Sequence, residues 1–187
     1  MTSFQLSKGD RFDIKKGLVT LLVGLGWNPA AHSGEEFDLD AHAFGLVGGK
    51  HREQDGRATL ALTYANKAET VPAPELNAKA FKTKGGEMTH MGDNRDGQGD
   101  GDDEQIRINL DKLPHDLDEV AVWVSIYDAA RRSQDFGRVE GAFVRVVDAS
   151  TGEELCKYSL AEKFPGSKSV HVGSLKRSGS EWTFVAV

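Results

Sequence analysis

The stretch EVAVWVSIYDA, residues 119–129, decides the fold class. In an extended chain Val120, Val122, Val124 and Ile126 share one face, and Trp123, Ser125 and Tyr127 share the other. That period of two marks a half-buried strand. The same alternation recurs on both sides. FDLDAHAF (37–44) sets Phe37, Leu39, Ala41 and Ala43 against Asp38, Asp40 and His42. ATLALTYA (58–65) and EQIRINL (104–110) alternate as well, and LVTLLVGLG (18–26) is an apolar run closed by glycines. GAFVRVVDA (141–149), ELCKYSL (154–160), SVHVGSLKR (169–177) and EWTFVAV (181–187) follow, separated by turn-forming residues. No stretch sustains a 3.6-residue apolar period; short helical turns fit only AARRSQDF (129–136) and LAEKF (160–164). Trp27, Trp123 and Trp182 read as core or sheet-packing residues.

Short strands punctuated by turns predict an all-β antiparallel β-sandwich, with residues 1–187 as one domain. KAETVPAPELNAKAFKTKGGE (67–87) breaks the rhythm, since Pro72 and Pro74 are incompatible with a central strand. This segment is expected to be a long surface loop.

Composition narrows the function. A formal charge of −6, with acids concentrated near 35–40 and 93–104, disfavours nucleic-acid binding, which needs a basic footprint. The single cysteine, Cys156, excludes an intramolecular disulfide and suits a reducing compartment, so a cytoplasmic location is expected. The first residues carry no apolar signal-peptide core, and the longest apolar run, 18–25, is too short to be a transmembrane segment.

The chemistry concentrates in MGDNRDGQGDGDDEQI (91–106), where Asp93, Asp96, Asp100, Asp102, Asp103 and Glu104 are spaced by glycines. Carboxylates this dense repel unless solvated or neutralised by a cation. Asp38 and Asp40 lie at i and i+2 of a strand, roughly 6–7 Å apart on one face, and offer a second pair. Calcium takes six to eight oxygens from carboxylates, carbonyls and water, all of which such a loop supplies. Magnesium keeps its waters, and zinc wants a Cys/His cluster that is absent here. An EF-hand does not fit, because Arg95, Gly97 and Gln98 fall where two acid or amide ligands and a glycine belong. MGDNRD (91–96) is similar to a signal-peptidase box, but no Ser-Met pair or membrane segment accompanies it. His42 and His90 flank the acidic segments and are the only candidate bases. No nucleophile elbow, phosphate-binding loop or dinucleotide fingerprint is present, so no catalytic residue and no organic cofactor is assigned.

VGLGW (23–27), FDLDAHAF (37–44), GDNRDGQGDGDDEQI (92–106), IYDA (126–129) and AFVRVVDASTGEEL (142–155), in that order, resemble the TerD family of tellurium-resistance proteins. The resemblance implies a calcium-binding β-sandwich with two ions near one end. It maps metal ligation onto Asp38 and Asp40, and onto Asp93, Asn94, Asp100, Asp102, Asp103 and Glu104. Asn28 replaces the family's usual Asp after Gly-Trp, and Asp96 replaces its usual Thr, which adds a candidate ligand. The resemblance implies a non-enzymatic role in bacterial stress response, including tellurite. The expected mechanism is that of an adaptor or sensor whose ion-ordered loops meet protein partners in a stress-response complex. Two alternatives stand beside it. One is a calcium-dependent membrane-surface module, with Lys79, Phe81, Lys82 and Lys84 beside the acidic loops. The other is a metal-dependent hydrolase using His42 or His90.

Overall fold

A computed structural model describes residues 3–28, 36–54, 57–58, 60–65, 70–76, 79–92, 101–160 and 164–187. The strands are, in chain order, β1 (Phe4–Leu6), β2 (Arg11–Ile14), β3 (Thr20–Gly26), β4 (Leu39–Val47), β5 (Lys50–His51) and β6 (Glu53–Gln54). Next come β7 (Arg57–Ala58), β8 (Ala61–Leu62), β9 (Thr70–Pro72), β10 (Phe81–Thr83), β11 (Met88–His90) and β12 (Glu104–Asn109). The last are β13 (Glu119–Ile126), β14 (Phe143–Asp148), β15 (Glu154–Ser159), β16 (Ser169–Ser178) and β17 (Glu181–Ala186). One short helix, α1 (Ala129–Arg132), and a 3-10 turn at Leu110–Lys112 complete the elements.

Two sheets stack as a β-sandwich. The first runs β1-β15-β14-β3-β12-β11-β10-β9, and the second β2-β17-β16-β13-β4-β5, with β8 also paired to β4. β6 and β7 form a separate two-stranded ribbon. Pairing is antiparallel throughout the described strands except β1 on β15, which is parallel. The central pairs are long: β13 is in register with β4 from Glu119↔Leu46 to Ile126↔Leu39.

The period-two expectation holds at the core. Leu39, Ala41 and Ala43 of β4 and Val120, Val122 and Val124 of β13 are buried. They face Leu21, Val23 and Leu25 of β3 and Ile106 and Ile108 of β12 within one apolar cluster. Each apolar side chain buried this way stabilises the fold by roughly 1.5–3 kcal/mol before its entropy cost.

Three expectations are corrected. Residues 67–87 are not simply a surface loop, because β9 and β10 lie within them and extend the first sheet to its edge. Pro72 is accommodated because β9 is the outermost strand, where a missing N–H costs no ladder bond. The run 58–65 is broken: only Ala61 and Leu62 join the second sheet. Trp27 and Trp182 are buried, but Trp123 is 37% exposed. It lies on the outer face and stacks on His171, ring centroids 5.0 Å apart. The helical turn expected at 129–136 is α1, whereas 161–163 of the second expected turn lie outside the described residues.

Candidate functional site

The site begins with why VGLGW needs its glycines. Leu25 and Val23 point into the core, so Gly24 and Gly26 face outward. A Cβ on Gly24 would fall 2.2 Å from the Asp102 carboxyl carbon. A Cβ on Gly26 would meet the Phe143 ring at 2.4 Å and the Gly101 carbonyl oxygen at 2.7 Å. The two glycines therefore let residues 101–102 lie flat against β3.

The next three acids diverge. Asp102 turns to the outer face, where Arg145 Nε donates to its Oδ1 at 2.6 Å and Gln105 Nε2 to its Oδ2 at 2.9 Å. Arg145 also donates to Glu154 at 2.9 Å. Donation to Asp102 first, and further to Glu154, raises the pKa of the Arg145 guanidinium above its ordinary value against the opposing effect of burial. Asp103 Oδ2 accepts from the Trp27 backbone amide at 2.9 Å. Glu104 points inward and is 1% exposed; its Oε2 accepts from the Ala41 amide at 2.7 Å.

These contacts bring the two acidic segments to one end of the sandwich. Trp27 connects them, because its backbone amide engages Asp103 while its indole Nε1 donates to the Phe37 carbonyl at 3.1 Å. Glu104 reaches β4 directly. The start of β4 is held from the other side as well: Arg132 and Gln134, from and just after α1, both donate to the Glu36 carbonyl. The Asp38 carbonyl accepts from the Tyr127 amide at 2.8 Å, and Asp38 Oδ1 is a buried carboxylate oxygen. Asp40 sits opposite Ser125 in the β4–β13 register.

The candidate ligands Asp93, Asn94, Asp96 and Asp100 lie outside the described residues. Among the described residues, no three His, Cys, Asp or Glu side chains gather closely enough to hold a metal by themselves. Asp102 pairs with Arg145 on the outer face, and Asp38, Asp40 and Asp103 lie at the same end of the sandwich.

Both histidines are enclosed. His90 is fully buried; it stacks on Phe81 at 4.9 Å, meets Tyr64 edge-on at 5.1 Å, and places Nε2 3.4 Å from Glu104 Oε2. His42 Nε2 lies 2.7 Å from Ser125 Oγ. Burial, and secondarily the nearby His90, pushes the pKa of His42 down to about 4. Phe81 and Lys82 are neighbours on β10 and so project to opposite faces. Phe81 packs on His90, while Lys82 pairs with Glu75 at 2.5 Å, so the basic and aromatic residues expected to form one membrane-facing group are divided.

Sequence reasoning missed Arg145 and the double role of Trp27. The only signals were a lone cation inside the apolar run AFVRVVDA and the indole following two outward glycines. Among the described residues, no helix is long and apolar enough to cross a membrane.

Comparison with known proteins agrees with this architecture. The TerD domain model matches residues 1–187. The chain is 42% identical to a stress response protein of Bacillus subtilis, over 99% of this chain and 91% of the relative. It is 39% identical to a tellurium resistance protein TerD from an Alcaligenes species, over 99% and 89%. A solved homologue of the telluride resistance protein TerD from Streptomyces coelicolor superposes with a TM-score of 0.61 at 22% identity, over 91% of this chain and 89% of that one, which supports the fold alone. The chain belongs to the TerD domain family.

Proposed function

We propose that this protein is a non-enzymatic, cytoplasmic calcium-binding member of the bacterial stress-response machinery, working as an adaptor or sensor through ion-ordered loops. The observation that carries the reading is the lacing of residues 37–41 to 103–104 by Trp27 and Glu104, which sets the Asp38–Asp40 pair beside the end of the glycine-rich acidic segment. The donor set is oxygen only, which fits calcium better than a transition metal. Asp38, Asp40 and Asp103 would hold the ions with Asp93, Asn94, Asp96 and Asp100, while Asp102 and Glu104 act chiefly in bracing the frame. When bound, calcium would supply charge neutralisation that orders the acidic segment into a surface for a protein partner.

The relatives' names, a stress response protein and tellurium resistance proteins, support the physiological setting. The hydrolase reading is disfavoured because His90 is enclosed by Tyr64, Phe81 and Glu104, and a group so shielded is poorly placed to take a proton from a substrate. The membrane reading is disfavoured by the division of Phe81 from Lys82. Thermal melts in chelator, Mg²⁺ and Ca²⁺ test the proposal. Ca²⁺ should raise Tm well above the other two, and three coincident melts would refute it.

A further inference from the structure

The outer face of the first sheet carries a cationic cleft that the calcium reading does not use. Its floor is a cross-strand row, Lys82 on β10 opposite Thr89 on β11, which in turn lies opposite Arg107 on β12. Strands are roughly 4.8 Å apart, so the Lys82 and Arg107 backbones are separated by roughly 10 Å. Two long cationic side chains at that separation can close on one small anion above the Thr89 hydroxyl. The wall is the turn between β10 and β11 with the 3-10 turn beside it, and contributes Lys84 and Lys112. Lys112 Nζ rests over Gly86, 3.4 Å from where a Cβ would stand; with φ +71°, that position is one that favours glycine.

The balance of charge is the unusual feature. Among the described residues, the cleft holds four cations and two carboxylates, Glu75 and Glu87, in a chain whose formal charge is −6. One carboxylate is engaged by Lys82 and the other accepts from Thr83 Oγ1 at 2.6 Å. Arg107 Nε is buried and has no hydrogen-bond partner among the described residues. A buried guanidinium N–H left in that state favours an acceptor arriving from outside. The cleft encloses about 450 Å³, within the roughly 300–1,000 Å³ typical of small-molecule sites and more than one oxyanion fills.

We infer that this cleft binds a phosphorylated small molecule, its dianionic phosphate held between Lys82 and Arg107 above Thr89, with Lys84 and Lys112 closing over it. The excess of two positive charges matches a phosphate dianion, and Arg with Lys is the pairing that recognises one by fork and point charge together. Because Arg107 and Glu104 lie on opposite faces of β12, the site stands or falls independently of calcium.

The test is titration of the ¹⁵N-labelled full chain, in chelator and at constant ionic strength, with inorganic phosphate, phenyl phosphate, sodium tellurite or chloride. Amide shifts should cluster at residues 82–89 and 107–112 for both phosphates and be absent for chloride. Arg107→Gln should weaken phosphate binding by about tenfold, the yield of one charge-assisted bond. Lys84→Gln/Lys112→Gln should do the same if the first variant folds poorly, while Lys50→Gln, an equal charge change elsewhere, should leave affinity within about twofold. Shifts identical to those with chloride, equal loss in Lys50→Gln, or a response to tellurite without one to phosphate would each overturn the assignment.

Discussion

Glu104 of one sheet accepts a hydrogen bond from the backbone amide of Ala41 in the other, at 2.7 Å and out of contact with water. A carboxylate in that position is a strut between the layers. Glu104→Ala should therefore cost about 2 kcal/mol or more, the worth of a buried bond to a charged acceptor. Urea unfolding in chelator measures it. A change below about 0.5 kcal/mol, the scatter of ordinary surface substitutions, would show that the contact contributes nothing.

Gly24 and Asp102 are related by space. Gly24→Ala should destabilise by about 1–3 kcal/mol, because the new methyl displaces Asp102 from Arg145. In an Asp102→Ala background the obstruction is gone and the same substitution should cost much less. A double-mutant cycle with no coupling would contradict this account.

Calcium affinity should separate three aspartates. Asp38→Asn and Asp103→Asn should weaken binding. Asp148→Asn should not, because Asp148 lies at the far end of β14, where its carboxylate accepts from the Ser150 amide and hydroxyl at 2.8 and 2.7 Å. Asp102→Asn should lower stability in chelator more than it lowers affinity. Calorimetric titration of the four variants decides the ligand set.

Stability should fall with acid partly through His42. Its folded-state pKa of about 4 lies below its ordinary value of 6.5. The folded state thus favours the neutral ring. That contribution is fully present above about pH 6.5 and is lost as pH falls toward 4. The whole window is worth about 3 kcal/mol. Denaturant unfolding between pH 7 and 4.5 should show a shallower decline for His42→Gln than for the parent; parallel curves would exclude His42 as the cause.

Much of the fold was legible because strand periodicity is local. The alternation in 119–126 and 39–44 reports a buried face within a few residues, whatever the partner. The edge was less legible. β9, β10 and β11 have three residues each, too few to display a period, and Pro72 within β9 and Pro74 after it read as loop. The acidic cluster was visible as composition, but Asp102, Asp103 and Glu104 looked equivalent. Their separate fates depend on partners remote in sequence, Arg145 at 43 residues, Trp27 at 76 and Ala41 at 63.

The amino-acid sequence by itself determined a two-layered β protein with two acidic segments, since burial pattern and charge density are properties of neighbouring residues. Only the tertiary structure decided that Trp27 and Glu104 join those segments at one end, that Gly24 exists to admit Asp102, and that Lys82, Thr89 and Arg107 form one row. Those relations arise from strand order and register, which bring together side chains that no local spacing connects.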